Sequence, residues 1–337
     1  MERRTTVLLI ASALLAAGLV IVLWPRPGTS PQPAAGGGEL PNVLNERERW
    51  SRRIAEVGVE RAYGEFKRAY GARDPRYQHL MSHLMGALIF ERLGAAGIAA
   101  CDEGFGDFGC YHGFAARAVS EGGLGAVRSV IAACREELSS PPLAVSCEHG
   151  VGHGLIEAIG YHRLSDALEL CEESAPQPNP FAGCTVGVFM EYNGTPSATT
   201  TAAVSPRPLD PNNPYEPCPT LPERFRQTCY YQLPQWWNRA PGATYQRTGQ
   251  WCGAAAVSAE REACFRGVGS IAATLSGFDP AATIRACRTM PNAEGEAFCR
   301  AMASLRFSAI PALREQATTL CEGLADELRR LCAPPRN

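Results

Sequence analysis

The chain has 337 residues, 45% of them hydrophobic, and a formal net charge of -2. That is apolar material for a sizeable core in one elongated domain or two compact ones. Its basic residues are almost all arginine, with Lys67 the single lysine, and they form no stripe, which excludes a nucleic-acid-binding surface.

Residues 1–24 open with "MERR", and Val7 to Trp24 then carries no charge. This run approaches the span of a bilayer and lacks a small-residue cleavage site after Trp24, so it predicts an uncleaved signal-anchor helix rather than a removed signal peptide. Arg3 and Arg4 hold the N-terminal tip in the cytoplasm, which places the rest of a single-pass membrane protein in the periplasm or extracellular space. Residues 25–45, rich in proline and glycine, read as a tether.

Fourteen cysteines follow, none in the anchor or tether, and no CxxC occurs. They fall into consecutive pairs: Cys101/Cys110, Cys134/Cys147, Cys171/Cys184, Cys218/Cys229, Cys252/Cys264, Cys287/Cys299 and Cys321/Cys332. Separations within pairs are 9 to 13 residues, and most gaps between pairs are 22 to 24. A recurrence near 35 residues is the length of a two-helix repeat, and an even number of cysteines suits an oxidising compartment. The first cysteine of a pair closes an amphipathic helix, as in "LGAVRSVIAAC" and "PAATIRAC", and the second opens the next, as in "CYHGFAAR" and "CEHGVGHGL". Stretches such as "SSPPL" and "SAPQPNP" read as loops between units. The fold expectation is therefore all-α: disulfide-stapled helical-hairpin repeats in an α/α solenoid or toroid-like stack behind a transmembrane helix.

The "AC" helix ends, the cysteine about ten residues on and a glycine three residues later (Gly113, Gly150, Gly187, Gly267) resemble cysteine-rich tetratricopeptide-like repeat proteins. The resemblance covers Cys101 to Cys332 at the level of architecture, and Gln232 and Met302 replace the glycine in two units. It implies a secreted solenoid with a binding surface and implies no catalysis.

Repeats are expected over 46–192 and 223–337, parted by a proline-rich insertion at 193–222 that holds eight prolines and an "NGT" acceptor motif at Asn193. In "YYQLPQWW", Pro234 is expected to kink or restart its helix. "GFGDFG", Gly104 to Gly109, fits a dinucleotide fingerprint on paper but follows no strand, so it reads as a tight loop.

All six histidines lie between His79 and His162. His79 and His83 are four residues apart, as are His149, His153 and Glu157, so each set shares a helical face. Aligning the repeats puts His112 and His149 at equivalent positions on neighbouring helices, close enough to share an ion. His83, His112, His149, His153 and Glu157 are the candidate metal ligands, with His79 and Glu191 as further binding residues. Imidazoles with a carboxylate suit zinc, copper or iron. His162, beside Tyr161, reads as a surface residue. The glycines Gly150, Gly152 and Gly154 are explained either by a ligand or by tight helix packing.

Three functions fit this pattern. The first is a membrane-anchored extracytoplasmic protein binding a small ligand, a protein partner or a transition metal through a histidine-rich pocket. The second is a metal-dependent hydrolase or oxidase using the same histidines and carboxylates. The third is a structural interaction scaffold whose histidines pack without chemistry.

Overall fold

The computed structural model describes residues 43–329 apart from 103–104, 139, 194–209, 211 and 239–241. The anchor expected at 1–24, the tether up to residue 42 and most of the proline-rich insertion lie outside the described residues. The chain divides between Gly36 and Gly37, and every described residue belongs to the second unit.

That unit is all-helical, with no strand among the described residues. In chain order its helices are α1 Val43–Val57, α2 Val59–Tyr70, α3 Pro75–Leu93, α4 Gly109–Gly122, α5 Val127–Glu136, α6 Pro141–Ile159, α7 Leu164–Ser174, α8 Cys184–Asn193, α9 Glu223–Trp237 and α10 Tyr245–Ala254. After these come α11 Ser258–Leu275, α12 Pro280–Cys287, α13 Ala293–Ala309, α14 Arg314–Thr319 and α15 Asp326–Arg329. Local chemistry sets many of the starts. Asp74 caps α3 ahead of Pro75, Asp279 caps α12 ahead of Pro280, and Asn292 Oδ1 accepts from Gly295 N at 2.7 Å to cap α13.

Seven principal helices pack in succession: α3 on α4, α4 on α6, α6 on α8, α8 on α9, α9 on α11 and α11 on α13. Short elements lie between them, namely the 3-10 turns Gly94–Ala100 and Cys218–Thr220 and the helices α5, α7, α10 and α12. Six disulfides fasten each short element to the principal helix that follows it, from Cys101–Cys110 to Cys287–Cys299, with Cα separations of 5.3 to 5.7 Å. Cys321 is also disulfide-bonded, and Cys332 lies outside the described residues.

Three local expectations are corrected. The second cysteine does not generally open its helix: Cys147, Cys229, Cys264 and Cys299 are each the seventh residue of α6, α9, α11 and α13. These helices begin six residues upstream of the cysteine, and of the four only α13 has a side-chain cap, from Asn292. "SSPPL" is accordingly not a loop, because Pro141 and Pro142 form the first turn of α6, where a missing N–H costs nothing. Pro234 does not kink or restart its helix either. It lies in the last turn of α9, so only the bond to the Tyr230 carbonyl is forfeited before the helix ends at Trp237, and Asn238 N donates back to the Pro234 carbonyl at 3.0 Å.

One hydrophobic core runs from Trp50 through to Met302 and includes Phe66, Leu155, Phe189, Trp237 and Val268, so the insertion does not divide it. The aromatic stretch of α9 belongs to this core: Tyr230, Tyr231, Trp236 and Trp237 are buried. Among the described residues one stretch, Pro75–Ala100, is long and apolar enough to cross a membrane by length and composition. It is the core helix α3 with its following turn, and Met81, Leu84, Met85 and Ile89 on it are fully buried within the unit.

Candidate metal centre

The site begins with helix spacing. His79 and His83 are one turn apart on α3, and His149 and His153 are one turn apart on α6, so each pair points to one side. His112 comes from α4, which packs against both helices.

Glycine draws these helices together. A Cβ on Gly113 would stand 1.9 Å from the His83 carbonyl oxygen, one on Gly150 2.5 Å from the His112 carbonyl oxygen, and one on Gly187 1.9 Å from the His149 carbonyl oxygen. Backbones therefore touch where each histidine leaves its helix, and imidazoles on successive helices meet. Helix packing accounts for Gly152 and Gly154 as well, whose added Cβ atoms would strike the Cys184 and Ala116 carbonyls.

The rings form one contiguous group. Centroids lie 4.6 Å apart for His79–His83, 5.3 Å for His83–His112, 4.7 Å for His112–His149 and 4.8 Å for His149–His153. Nε2 of His79 faces Nε2 of His83 at 3.0 Å, and Nε2 of His149 faces Nε2 of His153 at 3.1 Å. One donor nitrogen each from His79, His83 and His112 falls within 4.8 Å of the other two, a group that could hold a metal ion. Two nitrogens bound tetrahedrally to one zinc at 2.0–2.1 Å stand about 3.3 Å apart, so the 3.0 Å approach needs only a small opening to admit an ion.

Outer partners fix the rings. His79 Nδ1 donates to the Gly106 carbonyl at 2.8 Å, which leaves Nε2 as its lone-pair atom. Gly106, Asp107 and Phe108 all have positive φ, at 70°, 49° and 63°. For Asp107 and Phe108 this left-handed conformation costs about 1 kcal/mol or more each. It brings the Gly106 carbonyl onto His79 and Asp107 onto Arg306 of α13, whose guanidinium it meets at 2.5 Å. His112 Nε2 pairs with Ser146 Oγ at 2.8 Å, while its Nδ1 is buried with no hydrogen-bond partner. In the tautomer whose Nε2–H donates to Ser146 Oγ, that Nδ1 carries a lone pair open to a ligand.

Burial favours the neutral form of four of these imidazoles. Burial, followed by the neighbouring rings, holds His83, His112 and His149 well below the ordinary imidazole value of 6.5. Burial also lowers His79, with Asp107 opposing the shift. Neutral imidazole is the form that binds a metal. No described cysteine is free, so the donor set is nitrogen without thiolate.

The other expected residues fall as follows. Glu191 is 1% exposed and accepts from His153 Nδ1 at 2.9 Å and from the Tyr161 hydroxyl at 2.8 Å. Glu157 is half-buried one turn beyond His153, and its charge acts on Tyr161. His162 is exposed. His79, read from sequence as a secondary binding residue, supplies one of the three converging donors. Sequence reasoning missed Ser146, the Gly106 carbonyl, Tyr161 as a Glu191 partner, and Arg306. Ser146 was within reach of helix arithmetic, one turn before His149, whereas Arg306 is 199 residues from Asp107 and leaves no local signal.

No known protein-family model, curated protein or solved structure matches the chain.

Proposed function

We propose that the protein is a membrane-tethered, extracytoplasmic helical-repeat protein that binds a transition metal ion, with His79, His83 and His112 as ligands. The observation that carries this reading is the convergence of three imidazole nitrogens within 4.8 Å on α3 and α4, with His79 oriented by a backbone carbonyl and His112 holding a buried, unpartnered Nδ1. Packed structural histidines need no such alignment, since each could bond a carbonyl of its own. Nitrogen donors without thiolate favour zinc or copper(II) over calcium or magnesium.

The cellular placement rests on other observations. Six disulfides in the described unit are characteristic of oxidising compartments. The charge-free segment Val7 to Trp24 behind Arg3 and Arg4 supports a single-pass anchor. Successive packing of stapled principal helices supports a repeat stack, and the Arg306–Asp107 ion pair, which joins α13 to the loop before α4, supports a stack that curves back on itself.

The test is zinc and copper binding by the oxidised protein, measured by calorimetry and elemental analysis, beside the variant His79→Ala/His83→Ala. Tight binding that falls by at least 100-fold at this site in a variant with unchanged circular dichroism is the expected result. Wild-type protein that takes up neither metal would overturn the reading.

A further inference from the structure

Helix α13 stands at the far end of the succession from α3 and packs mainly on α11 and α14, yet Arg306 on it meets Asp107 in the loop before α4, 199 residues away. We infer that Asp107 and Arg306 are positioning residues of the metal centre, a latch through which the end of the stack fixes the ring of His79; this rests on the metal-binding reading above and names what holds one of its ligands.

The loop lies flat on the turn of α3 that carries the first two histidines. An added Cβ on Gly106 would stand 2.0 Å from Ser82 Oγ, and one on Gly109 2.6 Å from the His79 carbonyl oxygen. This closeness aims the Gly106 carbonyl at His79 Nδ1, 2.8 Å away, and makes Nε2 the lone-pair atom of the ring. Asp107 is the next residue. It and Phe108 hold φ values of 49° and 63°, a left-handed pair that side chains avoid unless the surroundings impose it. The glycines permit the approach, but they do not hold two strained neighbours in place.

Arg306 supplies the hold. The Asp107 side chain is 9% exposed, and its Oδ2 accepts a charge-assisted bond from Arg306 Nη2 at 2.5 Å. No second bond backs this one, because Asp107 Oδ1 and Arg306 Nε are both buried without a partner. Without the guanidinium, Asp107 would be a buried carboxylate with neither oxygen paired, and the loop relieves that cost by turning the side chain out to water. The turn carries the Gly106 carbonyl off His79, frees the ring to rotate and exchange tautomers, and takes one of three donors out of register. The carbonyl–imidazole bond, the ion pair and the left-handed turn fall within three consecutive residues, so a shift in one moves the others.

The test uses the full oxidised chain, zinc as the probe and two readouts. Long-range proton–nitrogen correlation spectra of the metal-free protein read the His79 tautomer, and calorimetry reads zinc affinity. Wild type should show His79 protonated at Nδ1. Arg306→Met, which keeps bulk and removes the donors, should give a mixture of tautomers and bind zinc roughly 10- to 100-fold more weakly. Arg306→Lys should recover most of both, and Arg288→Met, at an exposed arginine just before α13, should change neither. Asp107→Ala should reproduce Arg306→Met and stands in for it where that variant does not fold. A folded Arg306→Met or Asp107→Ala protein with the wild-type tautomer and zinc affinity overturns this inference and leaves the proposed function standing. Wild-type protein with His79 protonated at Nε2 also overturns it, whether or not a variant folds. Wild-type protein that binds no zinc overturns the proposed function, and the metal-free tautomer then decides by itself whether Arg306 sets the ring.

Discussion

Two regions of the molecule use one packing device for different contents. In α3, α4, α6 and α8, glycines press on the carbonyls of His83, His112 and His149. In α9 and α11, Gly267 presses in the same way on the carbonyl of Tyr231, with a Cβ position 2.0 Å from that oxygen. Tyr231 stands two residues after its cysteine, as His112 and His149 stand after theirs. Staples and glycine contacts thus build both halves, and neither requires an imidazole. The comparison separates the scaffold, which repeats, from the chemistry, which is confined to the first half.

The sharpest way to break this comparison is to fill a glycine contact in each half. Gly150→Ala and Gly267→Ala both place a methyl group against backbone oxygen, and each should cost about 3 kcal/mol or more in urea unfolding. Gly150→Ala should also weaken metal binding, whereas Gly267→Ala should leave it intact. A cost below about 1 kcal/mol at either position would show that the helices are not held at contact distance.

Removing one staple is the next largest perturbation. The Cys134–Cys147 and Cys287–Cys299 bonds close loops of 13 and 12 residues, and Cys134→Ser/Cys147→Ser and Cys287→Ser/Cys299→Ser should each lower stability by about 3 kcal/mol. Nearly equal losses would support a common scaffold role; a loss confined to one half would end the equivalence.

Acid should distinguish the halves. His83, His112 and His149 have folded values below 6.5, so the unfolded chain binds more protons as pH falls past that value. The metal-free protein keeps its full stability above about pH 6.5 and loses on the order of 1.4 kcal/mol per pH unit for each ring that stays neutral in the fold. Denaturation curves at pH 7.5 and 5.5 measure this, and His112→Gln should flatten the slope. A slope that is unchanged in that variant would place the pH sensitivity elsewhere.

Tyr161→Phe should have the smallest effect. It removes the hydroxyl that donates to Glu191, costing about 1 kcal/mol. Urea unfolding would reveal it, and an unchanged stability would contradict the bond from Tyr161 to Glu191.

Much of this design was legible in the sequence because cysteine spacing and i, i+4 histidines are local signals. Regular spacing made the pairing of Cys134 with Cys147 the expected one, which the structure shows, and the i, i+4 spacing put His149 beside His153. Helix starts were less legible, since a proline reads equally as loop or as first turn: Pro141 opens α6 only because Ser140 precedes it in extended conformation. Pro234 misled in the opposite direction, because its effect depends on how soon the helix ends. The importance of His79 and the Arg306–Asp107 pair was hidden for a different reason. Both depend on the left-handed turn at Gly106 to Phe108 and on how the stack brings distant helices together, neither of which leaves a periodic mark.

X-ray absorption at the zinc edge of the loaded protein tests the central claim most directly. The account predicts a first shell of nitrogen at about 2.0–2.1 Å with the multiple-scattering pattern of several imidazoles and no sulfur. A shell dominated by sulfur at about 2.3 Å, or by oxygen without imidazole scattering, would contradict it.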